Sequence, residues 1–218
     1  MSRLHLVIAN KNYSSWSMRP WLAMSMAGLP FNETVIPLDT PATKAAIAQH
    51  SQAGRLPVLH HGQITVWESL AILEYLAEVF PQKHWWPKPV AARAMARSVA
   101  SEMHAGFTAL RNACPMNLRR AKRPVVMAQA ALADVARIES FLRDCRTRFG
   151  KGGKFLFGRF CNADTMYAPV VARFDTYAVP VRADTRAYMD NVMATPAFQA
   201  WKDAALKETW IVPSDEVD

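Results

Sequence analysis

With 218 residues, 51% hydrophobic and 20% charged, the chain can build one large or two small packed domains, which excludes disordered and low-complexity architectures. Its formal charge of +8 is local: residues 119–159 carry eleven Lys/Arg against Asp134, Glu139 and Asp144, a surplus of 11 − 3 = 8, while residues 1–80 carry five of each sign. No apolar run approaches the roughly 18 residues of a membrane span, and the run from Leu4 to Ala9 meets Asn10-Lys11-Asn12 too soon for a secretory signal, so a soluble, cytoplasmic protein is expected.

The elements follow in order. Leu4–Ala9 is a short apolar strand. Trp16–Ala27 reads as a helix stopped by Gly28 with Pro30 behind it, and Phe31–Leu38 as a second strand. The helix is long enough to cross between parallel strands, giving β-α-β. A weaker helix fits Ala42–Gln49. Pro57–His61 and Ile64–Trp67 around Gly62-Gln63 form a hairpin, and Ser69–Phe80 a helix ended by Pro81. Three prolines in Pro81–Pro89 mark a linker, after which helical periodicity runs over Ala91–Ala113, Val125–Phe149, Asp164–Phe174, Thr185–Met193 and Ala197–Lys207. Residues 1–80 are thus an α/β domain, 81–90 a linker and 91–218 an all-helical domain.

Cys114, Cys145 and Cys161 lack paired spacing, so reduced thiols and no metal are expected. The basic 119–159 stretch lacks interleaved aromatics and any zinc-finger, RNP or P-loop spacing. It reads as a solvated helix face, and no nucleic-acid partner is expected. Neither GxSxG, GxGxxG after a strand, GxxxxGK[ST] nor HExxH occurs.

Three segments remain. In Asn12-Tyr13-Ser14-Ser15-Trp16-Ser17-Met18-Arg19-Pro20 the serines open the first helix, where unpaired N–H groups and the helix dipole favour a thiolate or another anion. As ordinary N-caps they need no ligand. A cap at Ser17 places Pro20 inside the first turn and leaves Ser14 and Ser15 before the helix, facing a ligand. In Gly54-Arg55-Leu56-Pro57-Val58-Leu59 a proline opens a strand, as a trans residue at a sheet edge or as a cis residue that turns the Leu56 backbone toward a ligand. Glu68-Ser69 precede an apolar helix, either as dipole-compensating charge and N-cap or as a grip on an amino-acid moiety.

Together the three segments resemble the cytosolic glutathione S-transferase family over the whole chain, and Ser14-Ser15-Trp16-Ser17-Met18-Arg19 is most similar to the serine motif of its zeta and related bacterial classes. The resemblance implies a thioredoxin-like N-terminal domain, an all-helical C-terminal domain and a homodimer. It implies that Ser14, or failing that Ser15, holds the glutathione sulfur. It also implies that Arg55, Leu56 and Pro57 form the loop facing the cysteinyl backbone, and that Glu68 and Ser69 hold the γ-glutamyl group. Cys161-Asn162-Ala163-Asp164 resembles a helix capping box in which Asp164 is structural and Cys161 a weakened cap. Trp16 stands where zeta-class isomerases carry a cysteine, which argues against maleylacetoacetate isomerisation.

On this reading the co-substrates are glutathione and a small electrophile bound between the domains. His104, Phe107 and Arg111, at i, i+3 and i+7 of one long helix with Met103 adjacent, offer an aromatic and cationic face for it, or else serve as core and surface residues. The reaction is conjugation, with peroxidase, isomerase or dehalogenase chemistry as relatives. A non-catalytic ligand- or protein-binding role on the same fold, using the basic stretch, is the competing reading.

Overall fold

The computed structural model describes residues 3–217. A four-stranded sheet in the order β2-β1-β3-β4 is built from β1 Leu4–Ala9, β2 Phe31–Ile36, β3 Val58–His61 and β4 Ile64–Trp67. β1 runs parallel to β2 and antiparallel to β3, which pairs antiparallel with β4. The crossover between β1 and β2 is α1, Ser15–Met26; it ends where Gly28 takes φ 63° and the Gly28 and Leu29 N–H groups donate back to Ser25 and Met24 carbonyls. α2, Thr43–Ala48, and α3, Ser69–Val79, complete a thioredoxin-like N-terminal domain.

Alternation along β1 sorts the sheet's two faces. Leu4, Leu6 and Ile8 join the main core with α1 and α3, while Val7 meets Ile36, Ile47 and Val58 beneath α2. The main core continues without a break into the helical part: α4 Val90–Ala105, α5 Thr108–Ala113, α6 Gln129–Cys145, α7 Asn162–Thr176, α8 Ala183–Met193 and α9 Pro196–Leu206. α7 is buried on every side from Asn162 to Phe174, as a central helix ringed by others must be.

Three expectations change. The first helix is capped by Ser14, not Ser17, so Pro20 lies beyond the first turn and removes the N–H that would reach the Trp16 carbonyl. The stretch Ala91–Ala113 is two helices, because Gly106 is extended and Phe107 takes φ 63°. Residues 124–128 are not helical; Val126 is 97% exposed, and regular structure begins only at Gln129.

Candidate functional site

Between β1 and α1 the chain makes a tight excursion through Asn10–Tyr13 that fixes Ser14. The Asn10 carboxamide oxygen accepts from Leu38 N–H at 2.7 Å, and the Asn10 carbonyl accepts from Ser14 N–H at 2.9 Å. From the helical part, the Glu208 carboxylate accepts from Lys11 and Asn12 N–H at 2.7 and 2.9 Å, and Trp201 Nε1 donates to the Lys11 carbonyl at 3.0 Å. Asn12 exchanges further bonds with Asn117 and Arg119 N–H. Arg119 also reaches the Tyr13 hydroxyl at 2.7 Å. These buried amides satisfy loop backbone that water cannot reach.

Ser14 therefore enters α1 at a defined place. Its Oγ accepts from Ser17 N–H at 3.2 Å and lies 2.8 Å from Ser17 Oγ, which in turn accepts from Ala9 N–H at 3.0 Å. Ser14 lines a cavity of about 650 Å³ together with Trp16, Gly54, Arg55, Leu56, Glu68 and His104; Ser15, the first helical residue, is buried and does not line it. The Leu56–Pro57 bond is cis. The loop before it is tied by Arg55 N–H donating to Ser51 Oγ at 3.3 Å.

Across the cavity Glu68 occupies the N-cap position of α3 with φ 68° and ψ 128°, and its side chain makes no cap bond. A non-glycine residue held there stores backbone strain, a condition that clusters at functional sites. Ser69, read as an alternative N-cap, is instead the first helical residue; it is fully buried and accepts from Arg19 Nη1 at 3.4 Å. Arg19 is itself 0% exposed, and burial together with Arg111 and Arg173 pulls its pKa well below the usual guanidinium value.

The proposed face of His104, Phe107 and Arg111 does not exist as read, because the chain breaks at Gly106. Phe107 turns into the core against Phe141, with ring centroids 6.1 Å apart, and Met103 is likewise buried. Arg111 donates to the Met103 and Gly106 carbonyls and lies over the Trp16 ring at 4.9 Å. His104 alone of the four lines the cavity, edge-on to Trp16 at 5.2 Å and with Nε2 3.9 Å from Glu68 Oε2. Burial and the Arg19 charge lower its pKa despite Glu68, so it acts as a neutral imidazole at pH 7.

The three cysteines are free and buried. Burial pushes the Cys114 and Cys145 thiols up to about 11 and about 12, which silences them as nucleophiles. Cys161 completes a capping box on α7: Asp164 Oδ2 accepts from Cys161 N–H at 2.9 Å, while Oδ1 accepts from Leu156 N–H and the Tyr188 hydroxyl. Among the described residues no group of three or more His, Cys, Asp or Glu is disposed to hold a metal ion. No described helix is long and apolar enough to cross a membrane. The basic stretch forms the surface ion pairs Lys122–Asp175, Arg137–Glu102, Arg143–Asp184 and Arg148–Asp144.

Residues 13–79, which span α1, the cis-proline loop and Glu68-Ser69, match the family described as the glutathione S-transferase N-terminal domain. The chain is 30% identical over 105 residues to glutathione S-transferase 1 of Dianthus caryophyllus, covering 48% of each, and 28% identical over 99 residues to a probable maleylacetoacetate isomerase of Caenorhabditis elegans, covering 45% of this chain and 46% of the other. It thus spans about half the length of the curated relatives it matches. A glutathione transferase homologue from Burkholderia gl BGR1, crystallised with bound glutathione, superposes with a TM-score of 0.71 at 23% identity, over 94% of this chain and 98% of that one. The apo form of human glutathione S-transferase T1-1 does so with a TM-score of 0.66 at 22% identity, over 94% and 90%. Residues 13–79 are thus similar to the glutathione S-transferase N-terminal domain, and the chain shares the fold of these solved glutathione transferases.

Proposed function

We propose that the chain is a glutathione transferase in which the Ser14 hydroxyl holds the glutathione sulfur as a thiolate for attack on a small electrophile. The observation that carries this is the position of Ser14: an N-cap hydroxyl at the wall of a cavity also lined by Leu56 and Glu68. The bound glutathione of the Burkholderia relative, which shares the fold, supports the choice of ligand. Arg55, Leu56 and Pro57 would face the cysteinyl part of glutathione, and Glu68 and Ser69 the γ-glutamyl part. Residues 1–80 then form the glutathione domain, which also offers Trp16 to the electrophile, 81–90 a linker and 91–218 the helical domain that offers His104.

A free thiol titrates near 8.5, and lowering that by about two units takes about 2.7 kcal/mol of preference for the anion. One charge-assisted hydrogen bond of about 1.5–3 kcal/mol with a helix-dipole contribution of about 0.3–1 kcal/mol supplies it. Serine acts as donor to sulfur and not as nucleophile, and among the described residues no histidine is hydrogen-bonded to its hydroxyl. Ser14→Ala is expected to leave glutathione bound, raise the pKa of its thiol and lower turnover; unchanged turnover would move the role to Ser15 or end the serine mechanism. Calorimetric titration with glutathione and a panel of aryl halides, hydroperoxides and haloalkanes reads binding and reaction class separately. Absence of turnover with retained binding would favour the ligand-binding reading. On the same family reading the chain is a cytoplasmic homodimer acting in detoxification, and light scattering of the purified protein tests the dimer.

A further inference from the structure

Ser14 and Ser17 face each other across one turn of α1, and the backbone commits two N–H groups to the pair: Ala9 N–H to Ser17 Oγ at 3.0 Å, and Ser17 N–H to Ser14 Oγ at 3.2 Å. A hydroxyl has one hydrogen to give and two lone pairs to receive. Ser14 gives its hydrogen to Ser17 across 2.8 Å. The hydrogen that an anion in the cavity would need is then already engaged.

Hydroxyl hydrogens rotate about the C–O bond, and the pair has a second arrangement. Ser17 turns its hydrogen onto Ser14 Oγ, Ser14 turns its own into the cavity, and Ser17 continues to accept from Ala9. Resting on the reading of Ser14 above, we propose that Ser17 is the positioning residue for this reversal: anchored by the Ala9 N–H, its hydroxyl takes over as donor to Ser14 Oγ when sulfur binds. Ser14 then accepts two hydrogen bonds while donating one, and hydrogen bonds in such a chain polarise each other, making Ser14 a stronger donor than a lone cap serine. Ser17 is fully buried and does not line the cavity, so it reaches the sulfur only through Ser14. Ser15, equally close in sequence, makes no such link; its N–H donates to the Tyr13 carbonyl.

The test is an ultraviolet titration of the bound glutathione thiolate in the wild type, Ser17→Ala, Ser17→Thr and Ser14→Ala, with steady-state kinetics across pH. Ser17→Ala is expected to raise the bound thiol pKa by about one unit, which from a value near 6.5 is about a threefold loss of thiolate at pH 7. kcat should fall near neutrality and recover at alkaline pH, with KM for glutathione within twofold of wild type; Ser17→Thr, which keeps the hydroxyl, should restore both. A folded Ser17→Ala protein with the wild-type thiol pKa overturns the proposal, and so does failure of Ser17→Thr to rescue. Should Ser17→Ala not fold, Ser17→Cys, which keeps a weak acceptor for the Ala9 N–H, replaces it in the same comparison. If Ser14→Ala also leaves the thiol pKa unmoved, the serine mechanism fails as a whole; if Ser14→Ala shifts it and Ser17→Ala does not, only the relay fails.

Discussion

Arg19 lies over Trp16, its guanidinium carbon 4.3 Å from the ring centroid, with Arg111 over the same ring. The indole is thus stacked with two cations, and one of them is sealed from solvent with Nε and Nη2 unpartnered. A buried charge without a counter-ion is costly, and its replacement by an apolar side chain of similar volume is often neutral or stabilising. Arg19→Met is therefore expected to raise the unfolding free energy by about 1–2 kcal/mol in urea titrations. A loss of stability would mean that stacking on Trp16 and the bond to Ser69 outweigh desolvation.

The loop ahead of Ser14 depends on Glu208, nearly 200 residues away. In Glu208→Gln the amide nitrogen of the new side chain faces a backbone N–H that now has no acceptor. The cost should be about 1–3 kcal/mol of stability. Because the same bonds fix the approach to α1, calorimetry should also find weaker glutathione binding, although position 208 is remote from the cavity. Wild-type affinity would sever this link between loop and ligand.

Asp164 is buried, and burial raises its pKa to about 6 against the pull of its hydrogen-bond donors. A carboxyl that titrates higher in the native than in the unfolded state contributes stability that is full below about pH 4 and fades as pH climbs through about 6. Asp164→Asn should abolish that slope in Tm measured between these limits. It should also lower Tm throughout, since the Cys161 N–H loses an acceptor.

His104 behaves in the opposite sense. Its pKa is lowered in the folded protein, so its contribution is present above the unfolded value of about 6.5 and lost as pH falls below it. Replacement by Gln should flatten the decline in Tm over that acidic range; an unchanged profile would assign the decline to other groups.

What the sequence revealed depended on how far each residue's partners lie along the chain. The β-α-β start and the hairpin rest on short-range rules of period and turn, and they appear as read. Gly106 was missed because a single glycine in an Ala- and Met-rich helical pattern is ordinarily tolerated. Only the fold reveals that a Cβ there would sit 2.9 Å from the Glu102 carbonyl and that Phe107 leaves the helix to reach Phe141. The cap moved from Ser17 to Ser14 because the Ser17 hydroxyl is taken by Ala9, a contact across the strand-to-helix turn. Asn10, Asn12, Asn117 and Glu208 gave no local signal, since each is explained by a partner in another element.

The backbone at Glu68 has a further consequence. Only glycine would relax there, and it would discard the carboxylate. On the proposed role of Glu68 in holding the tripeptide, directed evolution toward heat resistance and directed evolution toward tripeptide capture should therefore pull this codon in opposite directions, and the most robust descendants of the chain should be the ones that bind the tripeptide least.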